Sequence, residues 1–500
     1  MTSGEPRVLI ELLGLAEFGV PVRPLSTDET ARMEKSVAVL DEVLRADGAV
    51  YGVTSGFGAL VDHPGDGPGA DQGDGLIRHL GTAQGAPLDP AACRLAVWLR
   101  LTSMRRGWSA VSPAHWSALS ELYDRGFVPA LPRAGTVSAS GDLQPLASAA
   151  LSLAGVGQAW HRGPDGRWVV IDAEEGLRRV GAEPLHWPAR EALAFVNGTS
   201  VGLAVTMLNH HELQRLLRAS ALLTARLAEL LGAGSEPFHP GLSEARGHPG
   251  QAQVAEWIRE DLPSGHPHRG PGRPLQEPYS LRGAPQVLGA VLDQLQACEP
   301  VLVREALGCT DNPVFHEGQV LHGANFHALP VGLVSDQLGL LVQQVAFLME
   351  RQLAIVCSPD RNGGLPPMLA CVPGRDSGLA GVQISATSFV SAIRQRVAPA
   401  TLTALPTNGT NQDHVPMSLV GAVAVNEALD AARWVLGSLA VATAQLAALT
   451  GGAVADGVWR RLGEVSPPLE RDRPMAAEVR GSGDLLMDEA TSRLARRALG

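Results

Sequence analysis

The chain has 500 residues, 45% of them hydrophobic and 18% charged, with a formal net charge of −11. That balance describes a globular protein able to bury an ample core rather than a disordered one. The negative excess, with no Arg-rich face carrying interleaved aromatics, argues against a nucleic-acid partner. The five cysteines (Cys93, Cys298, Cys309, Cys357, Cys371) form no C-x-x-C pair. Free thiols in a reducing compartment are therefore expected, not disulfides or zinc.

The amino terminus, Met1-Thr-Ser-Gly-Glu-Pro6, has no basic start followed by an apolar run, so no signal peptide is expected. Apolar stretches near 331–356 and 419–450 are broken by Asp, Gln, Asn, Glu or Arg, which reads as too often for a membrane span. A cytoplasmic protein without a membrane partner is expected. Residues 28–44 predict an amphipathic helix capped by Ser26 or Thr27. It carries Lys35, the only lysine, among Glu34, Asp41 and Glu42. Pyridoxal phosphate needs a lysine for its Schiff base, and this one is a poor candidate. No G-x-x-x-x-G-K-[ST] loop is present, nor a G-x-G-x-x-G after a plausible strand. An electrophile for amine chemistry must come from elsewhere.

Val50–Gly58 reads as a flexible loop, with Gly52, Gly56 and Gly58 around Tyr51, one of three tyrosines with Tyr123 and Tyr279. Asp62–Gly75 predicts a surface loop, and a helix is expected to start at Leu76 and to carry His79 and Leu80. Ala91–Arg125 predicts two amphipathic helices, with Arg105-Arg106-Gly107 closing the first. Pro129-Ala-Leu-Pro132 should break any helix. Thr136-Val-Ser-Ala-Ser-Gly-Asp-Leu143 then makes a tight turn into a buried helix expected to run through Gly157, with Asp142 as a candidate N-cap.

The triplet Ala139-Ser140-Gly141 can react with itself. Gly141 has no side chain to block its amide nitrogen from attacking the Ala139 carbonyl carbon. Loss of one water from the ring and one from Ser140 leaves 4-methylidene-imidazol-5-one (MIO), an electrophile made from protein alone.

Residues 160–182 predict a β-hairpin, and Glu191–Thr199 is expected to open a long helix. Helices near 201–231, 284–298, 331–356, 377–396 and 417–449 follow from apolar spacing near 3.6, which predicts an all-α bundle of long helices. His266 and His268 sit on a mobile loop, and His316, His322 and His327 match no helical ligand pair, so no metal is assigned.

The 136–147 segment resembles the MIO segment of the aromatic amino-acid ammonia-lyases and aminomutases. The resemblance recurs at Tyr51–Gly58, Glu191–Thr199, Gln276–Gln286, Asp311–Pro313, Gly323–His327 and Asn411–Val415. The pattern is most similar to the bacterial tyrosine ammonia-lyases. The resemblance implies a fumarase/aspartase-like all-α fold with a small β insert, assembled as a homotetramer whose active sites draw on three subunits; residues 1–200 would then hold the MIO and lid loops, and 201–500 the long-helix bundle and oligomerisation core. It implies that Tyr51 removes the β-proton, which requires a lowered phenol pKa. His79 would hydrogen-bond the substrate para-hydroxyl with Leu80 against its ring, and Asn197 would reach the MIO carbonyl and the carboxylate region. Tyr279 would line the MIO, and Arg282 would fork onto the carboxylate. Asn312 would contact substrate, and Phe326 would sit against the ring, although Ala324 interrupts the usual Gly-Asn-Phe-His. Gln276 and Gln286 resemble polar groups of the pocket. Gln412 stands where histidine-specific relatives carry glutamate, which argues against histidine as substrate. The implied reaction converts L-tyrosine to trans-4-coumarate and ammonia. The alternatives are a tyrosine 2,3-aminomutase giving β-tyrosine, a phenylalanine ammonia-lyase, or a non-catalytic relative whose triplet never cyclises.

Overall fold

The computed structural model describes residues 8–63, 72–452 and 457–498. Among the described residues the chain is mostly helical, as expected, with three small sheets where one β insert was expected. It divides into two compact units. The first takes in the chain up to Leu208 with Glu299–Asp336 and Pro399–Val423, and the second holds Asn209–Cys298, Gln337–Ala398 and Ala424 onward. The division expected at residue 200 follows chain order; the compact units do not, because two later segments return to the first.

In the first unit, helix Thr27–Arg45 starts with a reciprocal cap. Ser26 Oγ accepts from Glu29 N at 3.2 Å, and Glu29 accepts from Ser26 N at 2.8 Å. Both Glu29 oxygens also accept from Arg105, just past helix Pro90–Met104, at 3.0 Å each. Burial pushes the Glu29 carboxyl upward, but the bonds from Arg105 and from the Ser26 backbone prevail and hold it at about 2. The helix expected from Leu76 begins earlier, at Gln72, and ends at Leu80. The middle of the predicted Asp62–Gly75 loop and the Met1–Pro6 terminus lie outside the described residues.

Strand Gln158–Arg162 pairs antiparallel with Trp168–Asp172 and with Val128–Pro129. The predicted hairpin is thus present, but the rest of the insert, Ala173–Val180, is a helix. Glu174 and Glu175 occupy its first turn and Arg178 and Arg179 its last, and Gly181 closes it at φ +65°. Helix Leu143–Leu153 stops short of Gly157, because Gly155 and Gly157 turn to positive φ. The Glu191–Thr199 motif does not head one long helix. Ala189–Val196 ends at Asn197, and Ser200–Leu230 begins after the break. A hairpin of Val314–His316 and Gln319–Leu321 packs Phe315 and Val320 with Val39, Leu40, Val50 and Val53.

In the second unit, buried polar bonds tie the long helices. Leu295 O on Ala284–Leu307 bonds His210 Nε2 on Ser200–Leu230 at 2.9 Å. Gln352 Nε2 on Leu329–Cys357 donates to Thr224 Oγ1 at 2.9 Å. Glu212 pairs with Arg433 on Ser418–Thr450. The helix expected to end at Cys298 continues through Pro300 to Leu307. Helices Pro240–Arg246, Pro249–Asp261, Gly457–Val465 and Ala476–Ala498 were not anticipated. By length and composition, the stretch Ala189–Leu230 is apolar enough to cross a membrane, and so are Leu329–Cys357 and Ser418–Thr450, contrary to the expectation from the interruptions in those two. Their most apolar windows are 89%, 61% and 67% buried against protein.

Candidate active site

The 136–142 turn is held by its own polar side chains. Ser138 sits at φ +57°, an unfavourable conformation for a residue with a side chain. Its N donates to Thr136 Oγ1 at 3.0 Å, its hydroxyl donates to Asp142 Oδ1 at 2.7 Å, and its Oγ accepts from Leu419 N at 3.2 Å. Asp142 Oδ2 accepts from Gly202 N at 2.7 Å. Asp142 therefore does not supply the side-chain cap expected from the sequence; its carboxylate clamps the turn to the start of helix Ser200–Leu230. Burial raises its pKa, opposed by donation from Gly202 and Ser138 and by the Arg100 charge.

Ala139 and Gly141 form an isolated backbone pairing across Ser140. Gly141 adopts φ +70°, and a Cβ there would strike the backbone of Gly198, so only glycine fits. Asp142 N donates to Gly198 O at 2.8 Å. Ser140 Oγ accepts from Gln412 Nε2 at 2.9 Å.

Asn197 is buried, and its Oδ1 has no hydrogen-bond partner among the described residues. Arg100, fully buried, donates to the carbonyls of Ala194 and Asn197 and to Thr310 Oγ1, fixing the break that presents Asn197. Asn312 Oδ1 accepts from Gly323 N at 2.6 Å, and the adjacent Asp311 forms a buried ion pair with Arg190. Ala328 N donates to Ser138 O at 3.4 Å, which joins the half-buried Phe326 loop to the turn.

A second group gathers on the glycine-rich loop. The Tyr51 and Phe57 rings meet edge to face at 6.1 Å, and Phe57 lies 6.2 Å from the His79 ring. Tyr51 Oη accepts from Gly58 N at 2.8 Å. Burial raises the Tyr51 pKa against the opposing effect of that bond, so these surroundings alone do not supply the lowered value its expected role requires. His79 is exposed and bonds Gly75 O through Nδ1 at 3.3 Å, while Leu80 is buried.

Tyr279 and Arg282 belong to the second unit. Tyr279 is 77% exposed with the Arg282 guanidinium 4.6 Å over its ring. Arg282 donates to Glu277 O at 2.9 Å and to Gln276 Oε1 at 3.1 Å. A cavity of about 860 Å³ opens beside them, and Gln286 also lines it. The structure thus joins the triplet with Gln412 and, through Gly198, with Asn197, and it joins Tyr51 with His79 through Phe57. Among the described residues, no three His, Cys, Asp or Glu side chains gather as a metal site.

The sequence pattern of the aromatic amino acid lyase family matches residues 11–462. The chain is 38% identical over 494 residues to the tyrosine ammonia-lyase of Cereibacter sphaeroides, covering 92% of each protein. It is 36% identical over 410 residues to the histidine ammonia-lyase of Rhodospirillum rubrum, covering 80% of this chain and 78% of that one. The crystal structure of the tyrosine aminomutase from Streptomyces globisporus superposes with a TM-score of 0.89 at 29% identity, over 99% of this chain and 98% of that one. The chain belongs to the aromatic amino acid lyase family and is a carbon–nitrogen lyase.

Sequence reasoning passed over Ser138, Arg100 and Phe57 as parts of the site. Ser138 and Phe57 lie inside the motifs that drew attention. Arg100 was signalled only as one of two guanidiniums, with Arg94, in a largely apolar helix.

Proposed function

We propose that the protein deaminates L-tyrosine to trans-4-coumarate and ammonia, with MIO formed from Ala139-Ser140-Gly141 as its electrophile and without pyridoxal phosphate or metal. The turn fits such a ring: the Ala139 and Gly141 backbones already pair, Gly198 leaves no room for a side chain at 141, and the unpartnered Asn197 Oδ1 lies one residue from that contact. When formed, the ring supplies an electrophile for the substrate amine and makes it a better leaving group. Arg282 holds the carboxylate through its planar fork. Tyr51 takes the β-proton on Oη, and the electrons of that C–H bond form the new double bond as the carbon–nitrogen bond breaks. Burial keeps the phenol high, so its activation belongs to the assembled, substrate-bound site.

The observation that carries tyrosine is the Tyr51–Phe57–His79 row. With Nδ1 of His79 donating to Gly75 O, Nε2 is the nitrogen left to accept the substrate hydroxyl. Gln412, neutral and bonded to Ser140, offers no carboxylate to an imidazolium substrate. Asn312 and Phe326 complete the substrate contacts beside the turn, and Leu80 backs the aromatic ring. The relative from Cereibacter sphaeroides supports the same reading. The proposal includes a cytoplasmic homotetramer whose active sites draw on three subunits, with Tyr279 and Arg282 delivered to the triplet of another copy. The exposure of Tyr279 in the second unit, beside the half-buried Arg282, favours that arrangement.

Ammonia release and ultraviolet product spectra with L-tyrosine, L-phenylalanine and L-histidine test the substrate. The proposal expects coumarate from tyrosine at the highest kcat/KM; preference for either of the others contradicts it. A second reading, a tyrosine 2,3-aminomutase, is favoured by the close superposition on the Streptomyces globisporus enzyme. NMR detection of β-tyrosine in place of coumarate would establish it.

A further inference from the structure

The loop carrying Tyr51 and the hairpin Val314–Leu321 are built on one apolar cluster, to which the loop gives Val50 and Val53 and the hairpin gives Phe315 and Val320. Strand Gln319–Leu321 runs directly into His322. The next residue, Gly323, donates its N–H to Asn312 Oδ1, and the neighbouring Asp311 is locked to Arg190. His322 therefore projects from a fixed base, and its Nε2 accepts the Tyr51 backbone N–H at 3.2 Å.

We propose that His322 is a positioning residue for Tyr51, its neutral ring tethering the glycine-rich loop to the hairpin so that the phenol is preset for proton removal. The bonds from Gly58 N to Tyr51 Oη and from Gly52 N to Ser55 Oγ lie within the loop and move with it. Gln72 and Asn408 hold its far side, through Ser55 O and Ala59 N. The His322 bond is the tie at the tyrosine itself. Gly52 at φ +71° and Gly58 at φ +57° leave this stretch much conformational freedom, which a tether at Tyr51 restricts. Acceptance at Nε2 requires that this nitrogen carry no proton. The residue is exposed, yet partial desolvation of the ring and the Arg190 charge both lower its pKa, which favours the neutral form; Arg190 is itself matched by Asp311.

This inference rests on Tyr51 as the base, and its test separates the two. Hydrogen exchange of residues 51–58 and steady-state kinetics with L-tyrosine are measured for the wild-type enzyme, His322→Ala and His322→Gln, with exchange of helix Leu143–Leu153 as the control for intact folding. The alanine variant is expected to exchange faster across 51–58. Its kcat should fall about tenfold to a hundredfold, with a much smaller change in KM. Glutamine, whose Oε1 can accept in place of Nε2, is expected to restore both. Unchanged exchange in the alanine variant, or no rescue by glutamine, would overturn the tether. Faster exchange with unchanged kcat would overturn the presetting of the phenol by this tether, whereas full activity of Tyr51→Phe, which keeps the backbone N–H that His322 accepts, would overturn Tyr51 as the base.

Discussion

At Gly141 two constraints coincide: a left-handed backbone and the Gly198 main chain where a Cβ would stand. Gly141→Ala is therefore expected to leave the helices intact, to prevent ring formation and to lower kcat by about three orders of magnitude or more. Circular dichroism and ammonia release check this, and an active alanine variant would contradict the assignment of the triplet. His79 makes a different kind of claim. His79 is exposed in the free chain, but a site that closes over a substrate hydroxyl and bonds it rejects the substrate lacking one, since closure then leaves a polar group unpaired. His79→Phe is expected to shift the kcat/KM ratio at least about tenfold toward L-phenylalanine; an unchanged ratio would remove the physical basis for tyrosine. Both residues were legible in the sequence because each lies in a motif whose chemistry needs it. Asp142 was legible only as a cap, because its real partners, Ser138 and Gly202, are set by folding.

Among elements, helix Thr27–Arg45 offers the sharpest test. Its cap carboxylate, Glu29, also holds Arg105 beyond the end of helix Pro90–Met104. The Glu29 pKa falls from 4.5 to about 2 on folding, so its stabilisation is complete above the unfolded value and is lost as pH drops through that window. Thermal melts of Glu29→Gln are expected to show a lower Tm than wild type at neutral pH and a shallower fall between those two values; parallel curves would contradict the pairing. Ser26→Ala should cost about 1 kcal/mol through the lost cap. The Ser26 cap was readable because capping is local. The end at Leu307 was not, because Pro300 reads as a breaker while tertiary burial of Leu302 and Val303 carries the helix past it. The break at Asn197 was likewise hidden, since Arg100 satisfies its carbonyls from a distant helix. Helix Ala476–Ala498 did leave a trace in the spacing of its buried Ser482, Leu486, Met487 and Ala490, half concealed by the charged residues between them.

For the whole molecule, the account needs residues of the second unit, Tyr279 and Arg282, to act on a triplet in another copy of the chain. Ser140→Ala and Arg282→Ala are each expected to be inactive and, when refolded together, to regain a fraction of wild-type ammonia release. No recovery in mixed assemblies would place both defects in one site of one chain. Beneath that assembly lies the chemistry of three residues, and mass spectrometry of active enzyme reaches it most directly. The tryptic fragment from Ala134 to Arg162 is predicted to weigh two waters less than its sequence, whereas the corresponding Ser140→Ala fragment lacks the hydroxyl whose loss completes the methylidene. A fragment of full sequence mass from fully active protein would contradict the account.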